Sequence, residues 1–118
     1  MSEVRGLRIY TNDEIAIIEF EDKGFLGSQT FIGEAISHLD TVIEEYSVKV
    51  LIFDLERITA VPSDMLGILV SLRNRGLVIR LFNVGPDVQF VLEATKLDEL
   101  FSVRDGSLAA MIEEAEEV

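Results

Sequence analysis

The run Val48-Lys49-Val50-Leu51-Ile52-Phe53-Asp54-Leu55 narrows most sharply what this chain can become. Apolar residues fill nearly every position instead of alternating, so a strand here has both of its faces buried. Such a strand belongs in the middle of a sheet, with helices to cover it. Its last polar residue, Asp54, then sits at the C-terminal end of a central strand, the edge at which open α/β sheets hold their sites.

The flanking sequence supplies the rest of a sheet. Residues 8–11 and 15–20 read as strands, and Asn12-Asp13 between them is a turn signal, giving an opening hairpin. Residues 21–27 form a loop with two glycines. A helix capped by Ser28 or Thr30 then runs to about Tyr46, with Ile32, Ile36, Leu39, Ile43 and Tyr46 on one apolar face. After the central strand 48–55 and a loop 56–62, Ser63 is a good N-cap for a helix that reaches about Arg75 and stops at Gly76. Asp64 is well placed at the positive end of that helix.

A strand at 77–83 follows. Gly85-Pro86 opens a helix to about Ala94 or Thr95, because proline is pre-shaped for a first helical turn. A short strand at 100–103 leads to a last helix, 107–116, capped by Asp105. The order β-β-α-β-α-β-α-β-α implies parallel pairings with right-handed crossovers. The expected fold is a single α/β domain over residues 1–118, with a mixed sheet of about five strands and about four helices.

Composition excludes several functions. Acidic residues outnumber basic ones 22 to 10, a formal net charge of −12. Nucleic acid and anionic membrane surfaces both need clustered Lys and Arg, so neither is an expected partner. No run approaches a membrane span, and residues 1–8 lack the apolar core of a signal peptide. With no cysteine there is no thiolate nucleophile and no thiolate metal site, which fits a reducing cytoplasm. The one histidine, His38, lies inside a helix and cannot build a metal site or a catalytic triad alone. No cofactor, metal or catalytic residue is expected.

Two places invite chemistry. Asp54 stands where a receiver domain carries its phosphoacceptor. However, the nearby acids Glu19, Glu21 and Asp22 follow the second strand of a hairpin, and no lysine follows the last strand. A carboxylate holding loop amides is the simpler reading. Gly24 and Gly27 precede a helix but lack the third glycine of a phosphate loop. More informative is Ser63, a hydroxyl at a helix start. Phosphorylation there adds about −1.5 to −2 charges and three acceptor oxygens, which free helix N–H groups tolerate and a packed partner does not.

In these residues the chain resembles the STAS domain family, specifically the bacterial anti-sigma factor antagonists. Their pattern is a hydrophobic strand, a polar loop, then Asp-Ser-Ser-Gly-Leu-Gly opening a helix. Here the strand is 48–55 and the motif stands as Pro62-Ser63-Asp64-Met65-Leu66-Gly67. The family's phosphorylated serine falls on Ser63, and its Leu-Gly on Leu66 and Gly67. Element order matches from Leu7 to about Met111, including a Thr-x-Leu-x-x-Leu-Phe stretch from Thr95 to Phe101. Pro62, Asp64 and Met65 depart from the family's aspartate, second serine and glycine. The loop 22–27 lacks the family's Leu-Asp.

The resemblance implies a cytoplasmic protein-binding module, not an enzyme. Its partner would be an anti-sigma factor with serine-kinase activity, and phosphorylation of Ser63 would break the complex. The expected partner face is Pro62, Ser63, Asp64 and Met65 with Gly24, Phe25 and Leu26; at the helix start Met65 either stands exposed as an adaptable contact or folds back into the core. Two other readings stand beside it. One is an unswitched STAS scaffold within a larger complex; the other is a receiver-like or nucleotide-binding domain. An apolar edge strand also leaves room for pairing with a second copy as a homodimer.

Overall fold

The computed structural model describes residues 2–4, 7–20, 29–58, 61 and 63–116. Six strands form one sheet in sequential order: β1 (Ser2–Val4), β2 (Leu7–Asn12), β3 (Ile15–Phe20), β4 (Val50–Asp54), β5 (Val78–Phe82) and β6 (Ser102–Arg104). The β1–β2 and β2–β3 pairs are antiparallel, and every later pair is parallel. Helices α1 (Gln29–Tyr46), α2 (Ser63–Asn74), α3 (Pro86–Ala94) and α4 (Leu108–Glu116) complete the fold. None of the described helices is long and apolar enough to cross a membrane.

Strand β4 is buried at all five positions, as its unbroken apolar run requires. Successive side chains point to opposite faces, so it feeds two cores. Leu51 and Phe53 join the larger core with Leu39, Val42 and Ile43 of α1, Leu69 and Leu72 of α2, and Val88 and Leu92 of α3. Val50 and Ile52 join a smaller core on the other face with Ile15, Ile17, Phe82 and Met111 of α4. Sequential strand order with crossovers of one hand places α1, α2 and α3 on the same face, and α4 alone supplies the helical cover of the other.

The turns follow local chemistry. In the β2–β3 hairpin, Asp13 takes φ +54, a conformation aspartate tolerates. Gly76, at φ +95, ends α2: its N–H bonds to the Arg73 carbonyl, and that of Leu77 to the Leu72 carbonyl. This is the Schellman closure that glycine permits. Pro86 is the first residue of α3, behind Gly85.

Some boundaries differ from the sequence expectation. A three-residue strand, β1, adds a sixth member and takes the sheet edge, so β2 is not the edge available to a second copy. The last strand begins at Ser102 instead of residue 100, because a 3₁₀ turn over Leu97–Glu99 occupies the approach. Helix α4 is capped by Ser107, not Asp105: the Ser107 Oγ accepts from the Ala110 N–H at 3.3 Å. Tyr46 is 44% exposed, and Val42 takes the inward place on α1.

Candidate functional site

The C-terminal ends of β4, β5 and β6 are tied together by one side chain. Asn83 follows β5 in a left-handed conformation, φ +60, which asparagine adopts more readily than most residues. Its Nδ2 donates to Asp54 Oδ1 at 3.2 Å and to the Gly106 carbonyl at 3.0 Å, while its Oδ1 accepts from the Gly106 N–H at 3.0 Å. The reverse amide orientation would turn the oxygen toward two acceptors, so the network fixes it. Asp54, only 9% exposed, also accepts from the Glu56 N–H at 3.1 Å. Asp54 is thus a structural carboxylate that holds the loop after β4, as the simpler sequence reading has it.

That loop begins as a clamped turn. The Ile58 N–H bonds to the Leu55 carbonyl at 3.0 Å, and both residues are buried, at 2% and 3% exposure. The Leu55 N–H reaches across to the Phe82 carbonyl at 2.9 Å. The chain therefore leaves the sheet in a defined direction before it reaches α2.

Helix α2 starts at Ser63 itself, which puts this serine in the first turn instead of the capping position before it. Ser63 and Asp64 are exposed. Met65 turns the other way: it is 8% exposed and packs in the larger core. It lines a small apolar interstice of about 20 Å³ with Phe20, Leu39, Phe53, Ile68 and others. The expectation of an exposed Met65 at the partner face is therefore corrected, since the helix rotation that exposes Ser63 and Asp64 aims positions 65 and 66 at the sheet. Gly67 is exposed, and a Cβ built on it meets nothing within 4 Å. Packing among the described residues does not require a glycine there. Pro62, Gly24, Phe25 and Leu26 lie outside the described residues.

Sequence reasoning did not single out Asn83. Its local signal was modest, an asparagine between a strand and Val-Gly-Pro, the kind of residue that tolerates positive φ.

No protein-family model matches the sequence, and no curated protein does either. The architecture nevertheless has close counterparts among solved structures. One is the anti-sigma factor antagonist SpoIIAA in its unphosphorylated form, at TM-score 0.74 and 17% identity, covering 95% of this chain and 97% of that one. The fold is the STAS fold. A STAS domain protein from Planctomyces limnophilus matches at TM-score 0.75 and 21% identity, over 92% of this chain and 97% of that one. The Bacillus cell fate determinant SpoIIAA in its phosphorylated form matches at TM-score 0.70 and 18% identity, over 92% and 98%. At these identities the likeness is one of architecture, and the STAS fold here carries its own loop sequences.

Proposed function

We propose that this chain is an anti-sigma factor antagonist, a cytoplasmic protein-binding switch and not an enzyme. Its partner is an anti-sigma factor with serine-kinase activity, and the contact face is the exposed start of α2 together with the segment carrying Gly24, Phe25 and Leu26. Phosphorylation of Ser63 releases the partner. The observation that carries this reading is the exposed Ser63 hydroxyl in the first turn of α2, on a fold shared with a protein solved both with and without phosphate.

The physics of release is local. Helix N–H groups accommodate a phosphate on the free chain. A docked partner surface has to accept about two extra negative charges beside Asp64, at the cost of desolvation and repulsion. A loss of about 3 kcal/mol weakens binding roughly a hundredfold. The formal charge of −12 speeds encounter with a basic partner.

Asp64 supports a second reading. It is exposed beside Ser63, so the helix start carries a fixed negative charge whatever the state of the serine. A chain of that kind is an unswitched scaffold. Affinity capture from native cells with wild type, Ser63→Ala and Ser63→Glu separates the two. The switch predicts a kinase-like anti-sigma factor captured by the first two and lost with the third. The scaffold predicts the same partners with all three.

A further inference from the structure

The most exposed large apolar side chain among the described residues is Phe90, at 71%. Val91 and Leu100, at 36% and 38%, lie on the same stretch of chain, α3 and the turn that follows it. We propose that the outer face of α3 docks a basic amphipathic helix of another protein. This goes beyond the switch at Ser63 and does not depend on it.

Helix geometry sets the placement. Val88 and Leu92 are buried in the larger core and fix which side of α3 meets the sheet. Phe90 lies two residues from each, about 200° around the helix, so it points away from that core. Pro86 and Ala94, both exposed, stand four residues before and after it. The three make an i, i+4 ridge with a large side chain in the middle and small ones at its ends. A ridge of this kind fits the groove of a second helix. Sequential strand order puts α3 at the end of its helix layer, over β5 and β6 at the edge of the sheet. Apolar residues scattered singly over a surface are ordinary, but an apolar ridge aligned along a helix is a patch of the kind that partners cover.

Charge selects the occupant. Asp87, Glu93, Asp98 and Glu99 sit on α3 and the turn after it, against one cation, Lys96. Asp87 and Glu93 are exposed and flank the ridge, one on each side of it by the helical angle. None of the four acids forms an ion pair among the described residues. The undescribed residues that lead into the neighbouring helix α2 are Thr59, Ala60 and Pro62, which add no charge. A second copy of the chain brings the same acids, and a formal charge of −12, to the contact, so like charges oppose self-association here. A helix with an apolar stripe bordered by Lys and Arg meets both the ridge and its acidic margins, with Phe90 as the aromatic anchor.

The test titrates the full chain with synthetic peptides about 18 residues long, enough to form a helix, and follows ¹H–¹⁵N spectra. One peptide carries leucine on one face and lysine on the other. A second has glutamate in place of lysine, and a third has serine in place of leucine. The expected result is saturable shifts centred on Phe90, Val91 and Ala94 with the leucine–lysine peptide, none with the glutamate peptide, and binding about tenfold weaker with the serine peptide. Phe90→Ser weakens the first peptide by about tenfold or more, the worth of one buried aromatic ring. Tyr46→Ser, which removes an exposed aromatic on α1, leaves it unchanged. The proposal is overturned by absence of saturation with the first peptide, by shifts spread evenly over the acidic surface, by equal binding of the serine peptide, or by binding unchanged in a natively folded Phe90→Ser variant. Concentration-dependent shifts at Phe90 without any peptide also overturn it, and assign the ridge to a second copy.

Discussion

The side-chain amide of Asn83 donates to the carboxylate of Asp54 at 3.2 Å, across 29 positions of sequence. This bond joins the loop that leads to Ser63 to the strand beside it, and through Gly106 to the start of α4. The approach to the proposed switch is therefore anchored by a residue that lies nowhere near it in the chain.

Removing that anchor has a graded cost. Asn83→Ala loses three side-chain bonds, leaves Asp54 and Gly106 short of partners, and forces a less tolerant residue to positive φ. A loss of about 2–3 kcal/mol is expected from denaturant unfolding. Asn83→Asp is worse at neutral pH, since it sets a second carboxylate against Asp54. An Asn83→Ala variant as stable as wild type would show the network to be incidental.

Gly67 predicts a trade between stability and binding. Alanine fits there without contact among the described residues, so Gly67→Ala raises stability by about 1 kcal/mol through helix propensity. If a partner closes against this turn of α2, the same methyl weakens capture. Thermal unfolding and partner binding measured on the one variant are expected to move in opposite directions.

Met65 behaves as core and not as surface. Met65→Ala costs about 2–5 kcal/mol, because the cavity it leaves lies between the sheet and α1. Met65→Leu is tolerated within about 1.5 kcal/mol. A Met65→Ala variant of native stability that fails to bind a partner would restore the surface reading.

The legible parts of this fold were those with long, one-signed patterns. The run 48–55 announced a central strand because its apolar residues do not alternate and it is short for a buried helix and rich in β-branched residues. Gly76 and Pro86 marked helix ends because their backbone preferences act locally. Strand β1 was hidden, since Ser-Glu-Val is too short to show alternation. Ser107 displaced Asp105 as a cap because two good capping residues stood two positions apart and only the path out of β6 decides between them. Met65 stood open between contact and core because one residue of helix rotation separates an exposed contact from a core side chain. Asn83 was missed because its importance lies in three partners, none of them a sequence neighbour. The helix start near Ser63 was legible, one position off from the expected cap; the surroundings of Ser63 were not.

The most direct test of the central claim uses the anti-sigma factor captured by wild type. Its dissociation constant is measured against the chain before and after stoichiometric phosphorylation, with mass spectrometry locating the phosphate. The account predicts phosphate on Ser63 and binding weakened about a hundredfold, equivalent to about 3 kcal/mol. Equal affinity for the two forms, or phosphate on another residue with Ser63 untouched, would contradict it.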